Sequence, residues 1–278
     1  MADFINTLEV LGDDAVMDGI IDRSISSSFN DDTITKISAY AFAYCKNLTS
    51  VCFPIATSIG EGAFRDSGLK AITPETFPFV TTLSGRYTFQ NSDLETVEWP
   101  SLISAEGGPW SFDGCKSLRS ISFPNWSTLG NNPAYFTKCT SLTDVNLPAM
   151  TVGPSFEGCT SLETITLPSA KRVVSAFNGC TSLQVVDLPA CEVVGGQNGF
   201  KNCPLEALIL RSTTMCTLDF FNNGQALYLP FNGTGIAAGT GYIYVPKALV
   251  DSYKVATNWS NYAAQFRAIE DYPDVCGG

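Results

Sequence analysis

The sequence predicts an α/β repeat solenoid, a right-handed superhelix with a parallel strand ladder, short helical turns and non-repeat caps. Three observations predict it. A unit reading Phe-x-x-Cys-x-x-Leu-x-x-Ile/Val-x-Leu/Phe-Pro recurs, with its most regular copy running from Phe156 through Cys159, Leu162, Ile165 and Leu167 to Pro168. The lead leucines Leu48, Leu69, Leu94, Leu118, Leu142, Leu162, Leu183 and Leu205 are spaced by 20 to 25 residues. Self-similarity at such a period marks a stacked-repeat architecture. Within each unit the Ile/Val-x-Leu/Phe pair has the two-residue period of a strand with one face inward. Each unit is too small to bury that face alone, so it is buried by its neighbours.

Residues 1–33 stand outside the repeat. Asp13-Asp14 followed by Ala15, Val16, Met17, Ile20 and Ile21 reads as a short capped helix. Its expected job is to cover the first open end, or to dock the chain on a larger assembly.

The repeats occupy residues 34–218. Inward strand positions run from Val51, Ile72, Val97 and Ile121 through Val145, Ile165, Val186 and Leu208. Two residues later come Phe53, Pro74, Trp99, Phe123, Leu147, Leu167, Leu188 and Leu210. Pro74 is the one break, and a short or bulged strand is expected there. Proline ends most of the strands because it has no N–H to give to a ladder. Successive strands should pair in parallel at about 4.8 Å. The return half of each unit ends in Phe42, Phe64, Phe89, Phe112, Phe136, Phe156, Phe177 or Phe200, predicting a second apolar ridge. Ile59-Gly60-x-x-Ala63-Phe64 predicts a short helical turn before the ring.

These motifs, Ile59-Gly60-x-x-Ala63-Phe64-x-x-x-x-x-Leu69 and Phe156-x-x-Cys159-x-x-Leu162-x-x-Ile165-x-Leu167-Pro168, resemble the BspA-type leucine-rich repeat. The resemblance covers residues 34–218. It implies a leucine-rich-repeat-like fold and an extracellular adhesin or a phage protein carrying similar repeats. Ser67 and Ser92 depart from it, standing where other copies have Cys.

Residues 219–278 leave the repeat and read as a C-terminal cap. Two strands are expected, over Ala226–Pro230 and Gly241–Pro246, with a flexible loop from Phe231 to Thr240. Helical spacing follows through Leu249, Tyr253 and Ala256, then a second short helix through Tyr262, Phe266 and Ile269.

Composition excludes several functions. The chain of 278 residues has no His, which removes Ser-His-Asp and Cys-His catalysis and His-ligated zinc. The formal net charge is -11, from 27 acidic and 16 basic residues, and this disfavours nucleic acid and anionic membranes as partners. No apolar run reaches the length of a membrane span. The N-terminus lacks the basic and apolar regions of a Sec signal. These observations predict a protein that needs no cofactor, inserts in no membrane and is not an enzyme. The virion or cell-surface setting is what the resemblance implies, and the missing signal tilts it towards the virion.

Cys45, Cys115, Cys139, Cys159, Cys180 and Cys203 share one repeat position and predict a buried thiol ladder of small hydrophobes. No Cys-x-x-Cys is present for a structural zinc. Cys276, beside two terminal glycines, is expected to be exposed. Asn30-Asp31-Asp32-Thr33 offers oxygen ligands for Ca²⁺ but lacks the longer spaced pattern.

Two surfaces compete for recognition. The outward strand positions, from Ser50 and Cys52 to Ala207 and Ile209, are small and hydroxyl-rich. The wider turns between residues 69 and 142 hold Tyr87, Trp110, Trp126 and Tyr135, which predict an aromatic patch for a protein or a glycan. Insertions in repeats map to one face, often the binding face. The alternative for these rings is to fill the wider turns.

Overall fold

A computed structural model describes residues 27–105, 107–129, 134–219 and 229–277. The helix expected around Ala15–Ile21 and the strand start at Ala226 lie outside the described residues. The chain divides into two compact units, Met1–Leu142 and Thr143–Gly278. Both are parallel-strand solenoids with a buried apolar column.

In the first unit, Ser28–Asn30 pairs with Ser50–Cys52. Further along, Ala71–Ile72, Thr96–Glu98 and Ser120–Ser122 form a second parallel ladder. A return ladder runs beside them, with Lys36–Ile37 on Ser58–Ile59 and Ser104–Ala105 on Thr128–Leu129. Val51, Ile72, Val97 and Ile121 point inward and are buried, as are all eight lead leucines of the chain. The ridge is a stack of near-parallel rings: Phe42–Phe64, Phe64–Phe89, Phe89–Phe112 and Phe112–Phe136 lie 5.2, 5.4, 5.4 and 5.5 Å apart between centroids.

Two expectations are refined here. The strand before Pro74 is short, only Ala71–Ile72. Thr73 N–H donates to Thr76 Oγ1 at 2.9 Å, and Thr76 N–H returns to Thr73 O at 3.0 Å, closing a turn. Phe77 thereby enters the column three residues late, stacked 6.1 Å from Phe53 and tilted against Trp99 at 5.3 Å. The return segments of this unit are turns rather than helices among the described residues. Ala63 N–H reaches only Gly60 O, and Gly62 takes φ +57°, which ends any helical run.

In the second unit, Thr164–Thr166, Val185–Asp187, Ala207–Ile209, Tyr242–Val245 and Phe266–Ala268 pair in that order, all parallel. Arg172–Val174, Val193–Gly195 and Thr217–Asp219 make its return ladder. This unit has its own ridge, Phe156, Phe177, Phe200 and Phe231, spaced at 5.8, 5.5 and 5.2 Å.

The ladder therefore passes both expected boundaries, 33 and 218. The expected flexible loop after Phe231 is ordered chain. Phe231 is a buried ridge ring, and Gly235–Ala238 is a single helical turn capped by Thr234, whose hydroxyl accepts from Ala237 N–H. The helix expected through Phe266 is instead a 3₁₀ segment, Trp259–Gln265, followed by the last strand. Phe266 sits in register with Ile243, so ladder pairing overrides its helical spacing. Over the end of the return ladder, Tyr253 OH accepts from Cys216 N–H at 2.6 Å and Trp259 Nε1 donates to Cys216 O at 2.7 Å.

Candidate functional site

The outward strand positions are exposed or half-buried from Ser50 to Asp187. Ala207 and Ile209 are the exception, at 3% and 2% exposure. They lie with Tyr244 and Cys276 in a small apolar cluster on the outer side of the second unit's sheet, flanked by Val185, Tyr242 and Ile269. The C-terminal turn Pro273–Cys276 closes it. Arg211 holds Asp187 through two nitrogens, with Nη2 at 2.8 Å from Oδ2, and also donates to the carbonyl of Cys276. The Asp187 carboxylate raises the Arg211 pKa above its ordinary value, against the lowering effect of burial. Cys276 is thus buried, not exposed as its neighbours Gly277 and Gly278 suggested. Tertiary cover from Tyr244 decides its position, and local sequence does not report that.

The ladder cysteines are buried thiols. Cys115, Cys139, Cys180 and Cys203 donate S–H to the main-chain carbonyl of Phe89, Phe112, Phe156 and Phe177, at 2.9 to 3.2 Å. Each acceptor is the ridge Phe of the preceding turn. Burial pushes the Cys115 thiol up to about 12. A contact with Cys203 and burial push Cys180 up as well. Thiols held protonated are neither nucleophiles nor ready metal ligands. Asp31 has a local role: its Oδ1 accepts from Thr33 N–H, Thr33 Oγ1 and Ile34 N–H at 2.7, 2.6 and 3.0 Å. No cluster of three or more potential metal-ligating His, Cys, Asp or Glu occurs among the described residues.

The four aromatic candidates do not share a surface. Trp126 and Tyr135 are fully buried. Their rings meet edge to face at 5.2 Å, Trp126 Nε1 donates to Thr128 O at 2.8 Å, and Tyr135 OH donates to Ala105 O. They correct the expected patch: a wider turn leaves space in the column, and large rings with a polar tip fill it. Tyr87 and Trp110 are half-buried and stacked, 5.4 Å apart with planes 14° from parallel.

These two occupy one repeat position, two residues before the ridge Phe. Tyr40 and Gly62 hold the same position in earlier turns. All four are left-handed, with φ of 56° at Tyr40, 57° at Gly62, 58° at Tyr87 and 58° at Trp110. Each N–H donates to the following turn, Tyr40 to Glu61 O, Gly62 to Arg86 O, Tyr87 to Pro109 O and Trp110 to Ala134 O. Glycine suits this backbone, and a bulky aromatic there is an outlier. Tyr40 covers Gly62, where an added Cβ would run into its ring. Its hydroxyl donates to Glu61 Oε1 at 2.8 Å. Arg65 lies over Tyr87, 5.5 Å from the ring centre. Tyr40 was not among the candidates, although its offset from Phe42 equals that of Tyr87 from Phe89 and Trp110 from Phe112.

A buried strand column, a polar outer face and an aromatic turn edge define a repeat scaffold. A family model for the BspA type leucine-rich repeat region matches residues 35–153 and 151–228, with six copies. The chain belongs to that family, whose model names a repeat and no catalytic activity. No curated protein matches it. A leucine-rich repeat protein from Bacteroides ovatus is 26% identical with a TM-score of 0.56, over 72% of this chain and 57% of that one. The chain thus spans a little over half the length of that protein. A leucine rich cell surface protein from Faecalibacterium prausnitzii is 21% identical, over 60% of this chain and 55% of that one, with a TM-score of 0.35. A leucine-rich repeat protein from Eubacterium ventriosum is 17% identical, over 77% and 84%, with a TM-score of 0.30. No helix among the described residues is long and apolar enough to cross a membrane.

Proposed function

We propose that the chain is a non-enzymatic recognition scaffold that binds through the turn edge carrying Tyr40, Tyr87 and Trp110. One observation carries this reading. Bulky rings stand in a left-handed backbone position that Gly62 fills without strain. Such strain persists where a surrounding structure fixes it, and it concentrates at functional sites. Tyr, Trp and Arg are also the residues that dominate binding hot spots. Two later turns reach the same backbone with small residues, Ser175 at φ 51° and Asn198 at φ 54°.

The setting we propose is a virion or cell surface facing a host protein or glycan, on a phage tail or as a bacterial adhesin. The likeness to a Bacteroides ovatus protein supports the bacterial side of that pair. An antibody to the chain separates the two by labelling purified virions or intact cells. Binding of the intact protein to target cells tests the edge itself. Trp110→Gly should abolish capture while leaving the circular dichroism spectrum unchanged. Full retention of capture by that folded variant would sink the assignment of the edge.

A further inference from the structure

The turn edge presents ring edges and hydrogen-bond donors, and few open ring faces. Tyr87 has Arg65 against it from the turn before and Trp110 from the turn after. Tyr40 lies against the main chain of Gly62. A sugar that stacks on an aromatic needs an exposed ring face, and Tyr87 has neighbours on both sides inside the file. The rims of these rings carry the positive side of the quadrupole. The Tyr87 hydroxyl and the Trp110 indole N–H make no hydrogen bond among the described residues.

The charges point the same way. The chain as a whole is strongly acidic. Among the described residues of this edge, Glu61 is engaged by the Tyr40 hydroxyl and Asp66 by Arg65 at 3.3 Å. Arg86, next to Tyr87, is exposed and makes no ion pair among the described residues. The unmatched groups are thus an indole N–H, a phenol O–H and a guanidinium. All three seek acceptors, and the guanidinium seeks a carboxylate. The flanking stretches, Ser84-Gly85-Arg86-Tyr87 and Gly107-Gly108-Pro109-Trp110-Ser111, have the mixture found in antibody binding loops, rigid aromatics among Ser and Gly.

We infer that Arg86, Tyr87 and Trp110, beside Tyr40, form a docking edge for an acidic protein segment, whose carboxylates and carbonyls accept from the three unmatched donors. This rests on the reading of the edge as the recognition surface and names its partner. A carboxylated sugar is the competing ligand.

The test uses the intact protein on two arrays. One carries acidic, neutral and basic 12-residue peptides, and the other carries neutral, sialylated and uronic-acid glycans. The variants are Trp110→Gly, which suits the left-handed backbone, and Arg86→Glu, which reverses an exposed charge. The inference expects capture by acidic peptides, weakened about tenfold or more by each variant and reduced by added salt. Thermal midpoints should not fall in either variant. Peptide capture that is unchanged in Arg86→Glu overturns the inference, as does silence of every peptide. Glycan capture lost in Trp110→Gly, with the peptides silent, overturns the acidic partner but leaves the edge standing. Peptide capture that survives both variants overturns the edge as well.

Discussion

Phe177→Ala measures how far the ring stack holds the second unit together. Phe177 is fully buried, with Phe156 at 5.8 Å on one side and Phe200 at 5.5 Å on the other, both nearly parallel. Burial of a Phe lost to Ala costs about 3–5 kcal/mol, including the cavity left behind. Aromatic pairs add about 0.5–1.5 kcal/mol each beyond area. A ring with partners on both faces therefore belongs near the top of the range, and about 4–5 kcal/mol is expected. For a unit of this size each kcal/mol moves the midpoint by about 3–4 °C, so the loss is roughly 12–20 °C. Urea unfolding followed by circular dichroism gives the free energy, and a thermal scan gives the midpoint. Phe177→Leu keeps most of the volume and should lose less than half as much. A loss below about 1.5 kcal/mol for the alanine, or equal losses for both variants, would refute the view that stacked rings hold the turns together.

Three further outcomes are expected. Arg211→Met leaves Asp187 beneath the C-terminal turn without its cation and frees the Cys276 carbonyl, costing about 2–3 kcal/mol. Limited proteolysis should then cut the terminal segment faster, and an unchanged rate would contradict the clamp. Cys180→Ser should cost only about 1 kcal/mol by chemical denaturation, because Ser67 and Ser92 are native and buried at the equivalent position. For Asp31, burial raises the carboxyl pKa, but hydrogen bonds from the Thr33 side chain and from Thr33 and Ile34 N–H outweigh it and hold the value below normal. A depressed folded pKa contributes stability above the unfolded value of about 3.9, and that contribution is lost as pH falls through the folded one. Asp31→Asn should flatten this acid limb of the stability–pH curve, and an identical slope in both proteins would remove Asp31 from it.

The column was legible because its positions recur: leucine, then Val or Ile, then a ridge Phe, each inward in every turn. Insertions were not legible in the same way. The 25-residue step from Leu69 to Leu94 signals extra chain, but nothing in it says that Phe77 replaces Pro74 in the column. Aromatic content at the wide turns was visible, whereas its direction was not. Trp126 and Tyr135 differ from Tyr87 and Trp110 only in register against the ridge Phe, and counting from that Phe separates Tyr87 and Trp110 and adds Tyr40. The ends were read least well. Phe266 has helical spacing and strand pairing, and a packing neighbour outside the repeat decides between them. Cys276 and Ile209 are buried by each other's neighbourhood, which no local pattern encodes.

The thiols give the molecule an indifference to where it is made. All ten cysteines are thiols, and nine are buried, with only Cys52 at an intermediate depth. At least six of them satisfy a main-chain carbonyl of a neighbouring turn. A reducing cytoplasm has no cross-link to break, and an oxidising exterior finds few thiolates to act on. Between the two settings no disulfide has to form or break. Alkylation after denaturation should count the same ten groups in protein recovered from either side of a membrane.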